Sequence, residues 1–187
     1  VGWVKADPAA FGLDPSKFTN SQSGFGAILL QNTTTGALQV SYRGTDQAAN
    51  DWGNNIAQGL GFTGTQYQQA IEIATYVNFA ASQRGLDLTF TGHSLGGGMA
   101  AAAAMAVGGG NLNPTLARTF NAAGVNILTT TTFNLDLRSA HRINAYYIGG
   151  DPLNLFQRIP LVSSADGNRI RMDGAGRWGA LERHSIN

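Results

Sequence analysis

Cysteine is absent from this chain of 187 residues, which excludes disulfides and thiolate metal sites and leaves the redox compartment open. Charge is scarce as well. Charged residues make up 12% of the chain and nearly cancel, for a formal net charge of +1. So weak a global field excludes recruitment of nucleic acid by charge alone. From Arg138 onward seven arginines stand against four acids, a local bias that would suit an anionic surface but reads more simply as a solvated face. Long apolar runs are missing too. The start, "VGWVKADPAAFG", lacks the apolar core of a signal peptide. The uncharged stretch "GGGMAAAAAMAVGGG", from 96 to 110, is too short and too rich in glycine to span a bilayer.

What is present is a globular composition. Hydrophobic residues are 43% of the chain, and a chain of this length suits one domain that buries about 70% of its unfolded surface. No repeat or linker divides residues 1–187. The chain begins without methionine and stops three residues after a histidine, so the whole is read as a single domain, processed or excised from something longer.

Apolar periodicity outlines the elements. "GFGAILLQ" (24–31) and "ALQVSYRG" (37–44) read as strands joined by the turn "NTTTG". The glycine- and asparagine-rich segment 45–64 reads as an ordered loop. Tyr67, Ala70, Ile71, Ala74 and Val77 recur at helical spacing between Thr65 and Arg84, and Gly85 ends the run. "LDLTFTG" (86–92) is a short apolar strand, followed by a helix from Leu95 to Val107 that the glycines 108–110 stop. "ARTFNAAG" (117–124) and "RINAYYIGG" (142–150) read as strands of the continuous apolar kind, expected where both faces of a sheet are covered. Strand, helix, strand, helix, strand is the order of a parallel α/β sheet.

The chemistry centres on "FTGHSLGGGMAAAAAMAV", at 90–107. With 25 glycines and ten serines in the chain, Gly-x-Ser-x-Gly would arise by chance in about one such chain in six. Context decides more than the motif. A strand enters it and a helix leaves it, the turn that lifts a serine hydroxyl above the carboxyl edge of a sheet. Gly92 and Gly96 let the backbones close around Ser94, and the alanines let the helix lie close to the strands.

A serine nucleophile needs a base, and the base an orienting acid. His93 is too close in sequence to turn back onto Ser94, and His141 precedes a strand, at the amino end of the sheet. His184, beyond the last strand, is the candidate base. Asp151 follows "AYYIGG" and precedes Pro152, at the carboxyl end of a strand, and is the candidate acid; Asp166 and Asp173 are weaker rivals. Serine, aspartate, histidine is the chain order of α/β-hydrolases. No cofactor and no metal is called for.

The segments "VSYRGTD", "DWGNN", "TGHSLGG", "FNAAGV", "GGDPLNLFQRIP" and "ERHSI" together resemble the class 3 lipases, including bacterial phospholipase-like members, from Gly24 to Ile186. The resemblance implies an α/β-hydrolase fold, a mostly parallel central sheet flanked by helices. It implies Ser94 as nucleophile, Asp151 as acid and His184 as base. It also implies an oxyanion hole formed by Thr45 and the backbone N–H of Leu95, which agrees with a strand ending in "RGT" beside the elbow. Arg43 reads as a structural ion-pair partner, Asp46 and Asp51 as anchors of the following loop, and Trp52 as core or acyl-binding wall. The interval from Asp151 to His184 is shorter than in fungal members, so reduced C-terminal loops are expected, and the polar stretch 47–64 makes a poor interfacial lid.

The expected activity is that of a serine carboxylic-ester hydrolase on lipid esters, at a membrane or lipid interface. A phospholipase A1 or short-chain esterase is the alternative within the class, and a non-catalytic hydrolase-fold interaction module the alternative outside it. The resemblance, with the look of the termini, implies a secreted bacterial protein.

Overall fold

The computed structural model describes residues 2–44, 64–111, 113–151, 153, 157 and 163–172. Alternating apolar residues build its first large strand pair. β1 (Trp3–Lys5), β2 (Thr19–Asn20), β3 (Phe25–Asn32) and β4 (Leu38–Tyr42) pair antiparallel, with β3 against each of the others. Within β4, Leu38, Val40 and Tyr42 are buried while Gln39 and Ser41 are half-buried. That alternation commits one face of the sheet to the core.

From β4 onward the sheet is parallel. β5 (Leu88–His93), β6 (Ala117–Phe120), β7 (Ile143–Ile148) and β8 (Asn168–Met172) extend it in the order β1-β3-β4-β5-β6-β7-β8. Their registers set Tyr42 beside Gly92, Gly92 beside Thr119, Thr119 beside Ala145 and Ile148 beside Met172. All the parallel strands therefore end at one edge.

The crossovers are helical, as parallel connections require. α1 (Gly64–Ser82) joins β4 to β5, α2 (Leu95–Val107) joins β5 to β6, and α3 (Ile127–Thr132) lies between β6 and β7. α1 turns Tyr67, Ala70, Ile73, Ala74, Val77 and Ala81 inward, and the Tyr42 hydroxyl donates to the Ala70 carbonyl across the core (2.9 Å). α2 is buried nearly all round, as a helix enclosed between a sheet and another helix must be. Its alanines and glycines keep it thin enough to sit there. Phe90, Leu38, Leu88, Met99, Met105, Leu116 and Ile143 fill the space between helices and sheet.

Two expectations change. The strands after α2 are shorter than 117–124 and 142–150, and they alternate instead of running continuously apolar. Ala117 and Thr119 are buried, but Arg118 and Phe120 are exposed. On the same face as Arg118, Thr89, Thr91 and Asn144 are half-buried, so one face of this sheet stays polar and partly wet. β8 was not expected at all: "NRIRM" carries little apolar signal and takes its strand form from pairing with β7. The loop expected at 45–64 lies outside the described residues but for Gly64, which opens α1.

Candidate active site

Ser94 joins β5 to α2 in a conformation that L-residues rarely adopt, φ 57° and ψ −124°. Strain of this kind costs about 1–3 kcal/mol and persists only where the surroundings impose it. Here they do. The Ser94 carbonyl accepts from the N–H groups of Gly97 (3.0 Å), Gly98 (3.2 Å) and Ala123 (3.0 Å), and the Ser94 N–H donates to the Phe120 carbonyl (3.0 Å). The turn is clamped between the start of α2 and the exit of β6. A Cβ on Gly92 would stand 2.2 Å from the Gly96 carbonyl oxygen, and one on Gly96 2.3 Å from the Tyr42 carbonyl oxygen. Both positions demand glycine.

The hydroxyl of Ser94 makes no capping bond to α2, although serine is a favoured cap residue. It is left at the carboxyl edge of the sheet on a half-buried residue. Beside it, the N–H of Leu95 opens α2 and has no earlier carbonyl of the helix to bond. The positive end of the helix dipole lies there too. An oxyanion formed at Ser94 would meet both.

Asp151 reaches the same edge two strands away. Beyond β7, its N–H closes a turn onto the Ile148 carbonyl (3.2 Å), with Gly150 at φ 81°. Its side chain is fully buried. Two strand intervals are about 10 Å, a gap that one imidazole can bridge when bonded to a hydroxyl on one side and a carboxylate on the other. His184 and Thr45, the expected base and oxyanion donor, lie outside the described residues, as do Asp46, Asp51, Trp52 and Asp173.

The other histidines sit as expected. His93 is the last residue of β5, next to Ser94. His141 is exposed, in the turn before β7, with Nδ1 2.5 Å from the Arg138 carbonyl oxygen. The six residues of β7 span about 20 Å, which puts His141 at the far edge of the sheet from Asp151. Arg43 donates to the Gly24 carbonyl (2.9 Å), a tie between β4 and the start of β3.

Three polar residues behind the elbow carry its support. Asn121, strained at φ 41°, donates its N–H to the Tyr146 carbonyl (2.9 Å) and accepts at Oδ1 from the Ile148 N–H (2.9 Å). It fastens the exit of β6 to the end of β7, just ahead of Asp151. Gln157 donates to the Ala122 carbonyl (2.7 Å). Asp166, a rival for the triad acid on sequence grounds, instead accepts from the Val125 N–H (2.8 Å). Burial pushes its carboxyl above the ordinary range against the pull of that bond. The Tyr67 phenol is pushed up as well, by burial first and by the charge of Asp166 second. Asn121 and Gln157 escaped sequence reasoning; a polar residue at the end of "ARTF", before small residues that pack on the elbow, was the available signal for the first.

Residues 1–186 match the family model of a phospholipase-like group, the Tle-like phospholipase domain. The chain belongs to this family. An extracellular phospholipase A1 of Serratia liquefaciens is 38% identical over 132 residues, which are 71% of this chain and 38% of that protein. The chain thus spans well under half of the length of this relative. Among solved structures, a triacylglycerol lipase from Penicillium expansum matches 91% of this chain and 82% of its own, with a TM-score of 0.56 at 14% identity. A mutant of MDLA from Penicillium cyclopium matches 89% of this chain and 66% of its own, also with a TM-score of 0.56, at 15% identity. At these identities the likeness is one of fold, and the fold is the α/β-hydrolase sheet with its flanking helices.

Among the described residues no group of three or more His, Cys, Asp and Glu side chains could hold a metal ion, and no described helix is long and apolar enough to cross a membrane.

Proposed function

We propose that this phospholipase-family domain hydrolyses acyl esters of phospholipids as a serine hydrolase, and that it works outside the cell. The observation that carries the reading is the strained Ser94 turn, with the helix-opening N–H of Leu95 beside it and a buried Asp151 two strands away. The extracellular phospholipase A1 among its relatives supports both the substrate class and the compartment.

In this reading His184 removes the Ser94 proton as Oγ attacks the acyl carbonyl, and Asp151 accepts from the other imidazole nitrogen and holds its tautomer. The tetrahedral oxyanion receives hydrogen bonds from the Leu95 N–H and the Thr45 hydroxyl. His184 then gives the proton to the departing glycerol oxygen as the C–O bond breaks, leaving an acyl group on Ser94. Water, activated by the same imidazole, attacks that ester, and the fatty acid leaves as Ser94 recovers its proton. A fluorophosphonate probe followed by peptide mass analysis tests the reading. Covalent label on Ser94, together with release of fatty acid from phosphatidylcholine, supports it. Protein that takes no label and releases no fatty acid would be a non-catalytic module.

A further inference from the structure

We propose that Arg171 binds the phosphodiester group of the phospholipid substrate. The proposal rests on the phospholipid reading above and names the residue that would select a phospholipid over a neutral glyceride. β8 is the last strand of the sheet, and Arg171 pairs across the ladder with Tyr147. Residues opposite each other in a parallel ladder share a face. The side chain does not stay level with its partner. Its guanidinium lies 3.0–3.2 Å from where a Cβ on Gly149 would stand, two residues beyond Tyr147 and just past the end of β7. It therefore leans toward the carboxyl edge, and Gly149 stands two residues before Asp151 in the chain.

Three other arginines of this half of the chain have partners among the described residues. Arg138 pairs with Asp136 (3.0 Å), Arg142 donates to the Gly108 and Asn113 carbonyls, and Arg169 lies over the Tyr147 ring (4.6 Å). Among the described residues no carboxylate pairs with the exposed Arg171. A guanidinium fork matches a phosphate geometrically and holds its charge at any working pH.

The span also fits. From β5, which ends beside Ser94, to β8 is three strand intervals, or about 14 Å. From covalent bond lengths, an extended arginine side chain reaches about 7 Å, and the six bonds between an sn-1 acyl carbon and phosphorus cover about 7 Å more. An ester seated on Ser94 brings its phosphate within reach of Arg171.

The test compares hydrolysis of dibutyryl phosphatidylcholine and of tributyrin by wild type, Arg171→Ala and Arg171→Lys. The expected result is a fall in the phospholipid-to-tributyrin ratio of kcat/KM by about tenfold in the alanine variant, the loss of one charge-assisted contact. The fall lies mainly in KM, because the phosphate is bound in ground and transition states alike. Lysine restores part of it. A merely structural arginine would lower both activities together and leave the ratio alone, and an unchanged ratio overturns the proposal. An unchanged ratio in Arg171→Ala, with inorganic phosphate altering tributyrin hydrolysis in wild type only, would make this a free-phosphate site and overturn the headgroup assignment. Wild-type protein inert toward both lipids sinks the hydrolase reading, and this proposal with it.

Discussion

Gly44 lies directly against the turn that holds Ser94. A Cβ placed on it would stand 2.9 Å from the His93 carbonyl oxygen and 3.6 Å from the Ser94 Cβ. The parallel register that pairs Tyr42 with Gly92 carries the chain out of β4 beside the elbow, and Thr45 is the next residue. Gly44→Ala should therefore push two backbones apart where the oxyanion would form. Turnover is expected to fall by one to two powers of ten, since a misplacement of about 1 Å can cost roughly a hundredfold. Steady-state kinetics on p-nitrophenyl butyrate checks this. A variant with wild-type turnover would mean that the exit of β4 has no part in the site.

Strain at Ser94 separates two variants that both lack the hydroxyl. Ser94→Ala and Ser94→Gly should each lose several powers of ten in turnover. Their stabilities should differ. Alanine inherits the positive φ of 57°, whereas glycine adopts it freely. Ser94→Gly is expected to be more stable than Ser94→Ala by about 1 kcal/mol, read as a higher Tm. Equal melting temperatures would argue against a strained elbow, and esterase activity in either variant would remove Ser94 from the mechanism.

Local signals carried the elbow, and distant ones did not. "GHSLGG" between an apolar strand and a small-residue helix is readable because the strain, the close approach and the helix start all lie within a few residues. The helix Leu95–Val107 came out with the bounds expected of it. β8 failed for the opposite reason: Ile170 and Met172 alternate with Arg169 and Arg171 over too short a run to stand out, and the ladder to β7 makes them a strand. The strand expected over 117–124 stops at Phe120 because Asn121 turns into the left-handed region, which nothing in the run of small residues announces. The bond from Val125 to Asp166 crosses 41 residues and leaves no local pattern to read.

Asp166 should give stability a measurable pH dependence. Burial raises its carboxyl above the ordinary value of 3.8 in the folded chain, so the folded state holds the proton more tightly than the unfolded one. The stability contributed by that proton is fully present below 3.8 and is lost as pH rises through the folded pKa. Asp166→Asn keeps an oxygen for the Val125 N–H and stays neutral throughout. The Tm difference, variant minus wild type, should therefore grow from acid toward neutral pH and then level off. About 1 kcal/mol per pK unit, or roughly 2–4 °C, is the expected scale. A difference that stays flat from pH 3.5 to 7 would mean that Asp166 is not held in a desolvating site. Asp166→Ala, which strands the Val125 N–H, should lose stability at every pH, by about 1–3 kcal/mol.

His184 is the proposed base, reached by elimination among three histidines and by resemblance. Elimination is strong on one side. His141 stands at the amino edge of β7, its ring held near the Arg138 carbonyl, while Ser94 and Asp151 stand at the carboxyl edge. His93 directly precedes Ser94 at the end of β5 and would have to reverse across its own peptide to reach the hydroxyl. His184→Ala is expected to lower turnover by about three to six powers of ten, the usual cost of removing a triad base. His141→Ala should keep turnover within about twofold, a bound set by the distance. Wild-type kcat/KM should rise with pH through a histidine-like ionisation, because only the neutral imidazole accepts a proton. The rise and the loss must belong to the same residue. In His184→Ala the residual activity should no longer follow that ionisation, whereas His141→Ala should keep the profile intact. An active His184→Ala enzyme, or a His141→Ala enzyme without the ionisation, would overturn the triad while leaving the Ser94 elbow as it stands.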